Sequence, residues 1–238
     1  MKDRPFLISG ILGLGVVMMT LLLSAVGPRP AAPLPAGFIT PVLAFEFAQS
    51  PDEVSELFDL EGSLAAMDRV NRWDFLYMAL YSGCLFTFAL TCARLTGRRF
   101  FYLPAALALL LLFADAMENV QLLAITRLLA ERDVVRILEQ LTPSLNRLRL
   151  FTWLKWGGLC VYFLLLIPYF RGLHSRWRWV WLVGALPALL AIVALFARGL
   201  PNELMALAIG LLFVLLTIYA WRFRQLPSAD SRLTPQAN

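Results

Sequence analysis

Asp115, Glu118, Asn119 and Gln121 stand inside an apolar run from about Phe101 to Thr126 that is long enough to cross a bilayer as a helix. A charged side chain at bilayer depth costs roughly 2.5–3.5 kcal/mol on insertion scales, so such groups face a bundle interior and find partners. The offsets 115, 118 and 119 put three of them on one helical face. Lys155 lies in the next apolar run, and Asp74 opens the preceding one with Tyr77 and Tyr81 below it on the same face. Side chains lean toward their own helix N-terminus, so Lys155 reaches Glu118 or Asp74 more easily than Asp115. Three acids facing one lysine leave an excess of negative charge. Burial and like charge favour a neutral acid, so Asp115 or Glu118 is expected to hold a proton unless an external cation completes the site.

Such a set could bind a proton, an ion, a lipid headgroup or a small molecule, or could join helices as buried polar glue. Tyr77 and Tyr81 also read simply as packing aromatics. The usual catalytic patterns are missing. His174, in a loop at the opposite membrane face and read as a headgroup-facing residue, is the single histidine, so neither a Ser-His or Cys-His pair nor a multi-histidine metal site can form at the cluster. No Gly-rich phosphate loop occurs, and neither Asp74 nor Asp115 sits in the Tyr-Asp or Gly-x-Gly-Asp pattern of aspartyl intramembrane proteases. No catalytic residue, metal ligand or cofactor is assigned. An intramembrane enzyme using Asp115 and Glu118 is the remotest of three readings.

The elements that must position these groups follow from composition. The chain has 238 residues, 60% hydrophobic and 16% charged, with mean hydropathy +0.70. That much apolar surface and several runs near 18 residues or longer predict an all-α polytopic transmembrane bundle forming one membrane domain, 1–238. Six spans are expected, about 6–26, 73–95, 101–126, 151–170, 178–197 and 203–222, with a cytoplasmic tail at 223–238. The first follows a short basic start and could be a signal peptide cleaved near Ala25-Val26-Gly27. Its apolar core is longer than a usual signal sequence, which favours a retained anchor. Cys84, Cys92 and Cys160 all fall in apolar runs and are odd in number, so they read as small buried hydrophobes.

The net charge of +5 does not point to nucleic acid, because the arginines sit at the ends of apolar runs. Eleven basic residues occupy the short segments on one side, and nine are spread over about twice the length on the other, which predicts both termini in the cytoplasm. One detail dissents: the second outer loop holds five arginines, Arg127, Arg132, Arg136, Arg147 and Arg149.

The long loop 27–72 opens on a Pro-rich linker. Ser50-Pro51-Asp52-Glu53 then reads as cap, first-turn proline and capping acid of a short helix to about Leu60. Phe45, Phe47, Val54, Leu57 and Phe58 are too apolar for a free tail, so this segment is expected on the membrane surface or against the outer helix ends. Ser63 to Arg72 is expected to form a further helix leading into the second span. Arg127 to Leu141 reads as an outer amphipathic helix, with Thr142-Pro143 capping the fourth span. Asn71-Arg72 and Asn146-Arg147 hint at a repeat that chance explains better.

Ala44 to Ser50, Asp74 to Tyr81, the Asp-x-x-Glu-Asn element at Asp115, Glu118 and Asn119, and Lys155-Trp156 together carry a likeness. Over about 40–160 the chain resembles a family of small bacterial polytopic membrane proteins. The resemblance implies a bacterial cytoplasmic membrane and adds no activity. The leading expectation is therefore a transporter-like or accessory protein that binds a lipid, ion, proton or small molecule from the outer side. The alternative is a structural or assembly protein.

Overall fold

The computed structural model describes residues 4–28, 33–58, 62–131, 134–173 and 175–223. Its helices are α1 (Leu7–Val26), α2 (Pro41–Glu46), α3 (Pro51–Leu57), α4 (Ser63–Thr96), α5 (Tyr102–Glu131), α6 (Val134–Arg171), α7 (Val180–Phe196) and α8 (Leu200–Arg222). Six of them, all but α2 and α3, are long and apolar enough to cross a membrane. Among the described residues there is no strand. Large apolar side chains such as Leu189, Ile192, Leu207 and Ile218 remain exposed on the outside, as a lipid-facing surface requires. The protein is a multi-pass, all-helical membrane protein.

The six long helices form a ring in which each packs on the next in the order α1, α4, α5, α6, α7, α8, and α8 returns to α1. Small residues permit the closing contact: a side chain at Gly13 would collide with the Thr217 hydroxyl. The indole of Trp221 donates to the Gly10 carbonyl at 3.0 Å, which sets the start of α1 beside the end of α8 on one face of the ring, the terminal face. Inside the ring near that face, Phe6, Phe88, Phe101, Tyr169, Phe170 and Tyr219 interlock, with Phe6 5.0 Å from Phe88 and edge-on to Tyr219 at 5.4 Å. The hydroxyls of Tyr169 and Tyr219 satisfy each other at 2.8 Å, which removes the cost of burying them. This half of the ring is filled.

The opposite, loop face is covered by the segment between α1 and α4. Ser50 caps α3 by accepting from the Glu53 N–H at 3.3 Å, and Glu53 accepts from the Gln49 N–H at 2.8 Å. The expected short helix is present and ends at Leu57. Of the two expected positions for this segment, it lies against helix ends. Phe45 and Val54 are fully buried with Met67, Leu122, Ile125, Leu141, Leu145 and Leu148. Two polar latches hold it to the α7–α8 turn. Arg198 grips Glu53 with both arms, at 3.0 and 2.8 Å. Glu203 accepts from the N–H groups of Ile39 and Thr40, each at 2.8 Å. Gly199 in that turn has φ +91°, and a Cβ there would strike the Ala36 carbonyl, so only glycine lets the segments meet.

Three local expectations are revised. Ser63 to Arg72 does not form a separate helix but is the first part of a continuous 34-residue α4, ended by the left-handed Gly97. Thr142-Pro143 does not cap the fourth span, because α6 runs through Pro143. An internal proline costs roughly 3 kcal/mol through its lost hydrogen bond and ring clash. Burial of Leu141, Leu145 and Leu148 against α5 and the loop segment offsets it. The outer helix read over Arg127–Leu141 is accordingly split between the end of α5 and the start of α6, and residues 132 and 133 lie outside the described residues, as does His174.

Two outcomes follow. Pro143→Ala should raise the thermal midpoint in detergent, since it restores a helix-interior hydrogen bond; a lowered midpoint would show that the proline stabilises a helix start instead. The Arg198 guanidinium, followed by the Gln49 N–H, holds the Glu53 carboxyl below its ordinary value despite partial burial. With the folded value depressed, the latch contributes fully above the unfolded glutamate value and fades as pH falls through the folded one. Hydrogen exchange of α3 should therefore speed up on acidification in the native chain. In Arg198→Gln it should already be fast at neutral pH.

Candidate functional site

Midway along α5 toward the loop face, the apolar stripe of the helix is interrupted on its buried side. Asp115, Glu118 and Asn119 are each at most 1% exposed, and Leu122 and Ile125 continue the same face toward the loop end. The i, i+3, i+4 spacing thus aims all three inward, as expected. Lys155 enters from α6 and is 6% exposed.

The Lys155 ammonium is the point on which the carboxylates converge. It is paired with Glu118 and lies 3.0 Å from Glu46 Oε1 and 3.4 Å from Asp115 Oδ1. The expected order of preference, Glu118 ahead of Asp115, agrees with these contacts. Asp74 does not join them: it is half-buried and accepts from the Asn119 amide at 2.6 Å. The buried Tyr81 hydroxyl donates to Asp115 Oδ2 at 2.7 Å. Tyr77 packs edge-on against Tyr81 at 5.6 Å, and its hydroxyl accepts from Thr20 of α1 at 3.1 Å. Asp74, Tyr77, Tyr81, Asp115, Glu118, Asn119 and Lys155 therefore form one polar tract from the α1–α4 seam to α6.

Three participants were not anticipated as site residues. Glu46, at the end of α2, closes the cluster from the loop face and is buried; its second oxygen accepts from the Trp156 indole at 2.8 Å. Thr152, one turn from Lys155, lies with its hydroxyl 2.5 Å from Glu118 Oε1 and 3.0 Å from the Glu46 carbonyl. Lys155 also stands 5.2 Å from the Trp156 ring centre, a cation–π distance. A signal for Glu46 existed. Thr40-Pro41 is a helix start, and a lone acid between Phe45 and Phe47 in an otherwise apolar stretch has to be buried with a partner or break the packing.

Chemically, the arrangement is one ammonium held by three carboxyl groups from two elements, α2 and α5, walled by Phe47, Trp156 and Tyr81. The ammonium fills the position that a cation bridging these acids would need. Asp115 Oδ1 accepts no hydrogen bond and faces only the ammonium. Cys84, Cys92 and Cys160 are buried free thiols elsewhere in the ring. Comparison with protein families, curated proteins and solved structures finds no match.

Removing the ammonium strands buried carboxylates, so Lys155→Met should cost about 3–5 kcal/mol. Adding Glu118→Gln should restore a substantial part, giving a coupling energy in a double-mutant cycle on thermal unfolding. Additivity of the two changes would show that the pair contributes nothing as a pair.

Proposed function

We propose that the cluster is a proton-binding site in a transporter-like or accessory membrane protein, reached from the loop face. The observation that carries this reading is the imbalance of one ammonium against three buried carboxyl groups, Glu46, Asp115 and Glu118, within an apolar bundle. A buried excess of charge is too costly to persist, and with Lys155 at the point of convergence the compensation falls to protons. The Thr152 hydroxyl supports it. Its one proton lies within reach of both Glu118 Oε1 and the Glu46 carbonyl, so it can satisfy only one at a time and leaves room for a second proton between the acids. The lysine and arginine distribution supports an extracytoplasmic loop face. The likeness to small bacterial membrane proteins supports a bacterial cytoplasmic membrane as the location in this reading.

An assembly role is the second reading, favoured by one feature: Lys155 ties α2, α5 and α6 through a single group. Infrared spectroscopy of the reconstituted chain separates the two. A proton site gives a carbonyl band of protonated carboxylic acid at neutral pH that weakens as pH rises and shrinks in Glu118→Gln, while that variant stays folded. Absence of the band in folded protein would remove the proton reading. Loss of folding in both Glu118→Gln and Asp115→Asn would favour assembly.

A further inference from the structure

The geometry points to a second site, independent of the proton reading: a cleft between α4 and α5 at the loop face that holds the phosphodiester headgroup of an anionic glycerophospholipid. The cleft has a volume of about 590 Å³ and is lined by Leu64, Asp68, Arg72, Leu123, Thr126 and Arg127, among others. Its polar groups are arranged rather than scattered. Both oxygens of Asp68 are taken, Oδ1 by the Thr126 hydroxyl at 2.6 Å and Oδ2 by Arg72 Nη2 at 2.8 Å. With both oxygens engaged, Asp68 acts as a positioning residue for Arg72, whose side chain is still 73% exposed, and the cleft keeps one net positive charge from Arg72 and Arg127 less Asp68. A guanidinium has five N–H donors, so Arg72 keeps most of them for an anion. Arg127 is exposed on the facing wall and has no carboxylate partner among the described residues. Two guanidinium groups across a cleft are suited to phosphate oxygens.

What favours a lipid over a soluble anion is the surface that continues from the cleft toward the bilayer centre. Leu76 lies one turn beyond Arg72 on α4. Val120 lies about one turn beyond Leu123 on α5, and Phe113 two turns further. All three are at least 46% exposed. Trp73, also exposed, marks the water–lipid boundary beside the cleft. A headgroup between Arg72 and Arg127 would thus lay its acyl chains along a ready apolar stripe. The same site gives a role to Arg127, one of the five arginines of the second outer loop.

The test uses the full chain in nanodiscs of equimolar phosphatidylglycerol and phosphatidylcholine, followed by native mass spectrometry of the lipids that stay bound. The native chain should retain phosphatidylglycerol preferentially. The Arg72→Gln/Arg127→Gln variant should lose that preference by on the order of tenfold, since each near-surface basic group is worth roughly 1 kcal/mol to an anionic lipid. Arg147→Gln/Arg149→Gln, an equal change of charge on the same face but outside the cleft, should keep it. Equal loss in both variants, or equal retention of the two lipids by the native chain, would overturn the proposal. So would removal of the preference by excess inorganic phosphate, which would make this a soluble-anion site, or capture of an acidic protein that the lipid does not displace.

Discussion

An ammonium inside a helical bundle tolerates very little freedom in its surroundings. Lys155 obtains carboxylates from α5 and α2 and a ring face from its own helix, and each partner brings its element to within a few ångströms of α6. Glu46 can arrive only if the chain leaving α1 folds back over the ring. That return path explains the buried Phe45 and Val54, the two latches on the α7–α8 turn, and the glycine at 199. The burial of a single positive charge therefore organises half the molecule.

The two halves of the ring are built on opposite principles. Toward the terminal face, stacked aromatic side chains satisfy their few polar atoms among themselves. Toward the loop face, polar side chains reach across from α1 through α4 and α5 to α6. Apolar packing resists rearrangement because every lost contact opens a void, whereas a hydrogen-bonded tract can exchange protons without moving heavy atoms.

The long helices were legible because bilayer thickness and hydropathy jointly prescribe their length. The inward face of α5 was legible because ionisable residues inside a span leave few alternatives to burial, and i, i+3, i+4 spacing decides the direction. What escaped was set by tertiary contact. Pro143 carries a strong helix-start signal, overridden by leucines whose partners lie on α5 and in the loop segment. Glu46 sits in a six-residue helix, too short for any periodicity to reveal, and its partner is more than a hundred positions away. Thr152 and Trp156 look like ordinary span residues until their neighbours are known. Asp74, counted as a partner of the lysine, turned out to belong to Asn119.

The clamp on the α1–α4 segment also bears on biogenesis. Glu46 is synthesised early, yet Arg198 and Glu203, which hold its segment down, lie near the end of the chain. During insertion the lysine can meet its partners, and Phe45 and Val54 their apolar neighbours, as soon as α6 is threaded, but the covering segment gains its two polar latches only after α7 and α8 emerge. Until then the roof rests on its apolar contacts and on Glu46 alone.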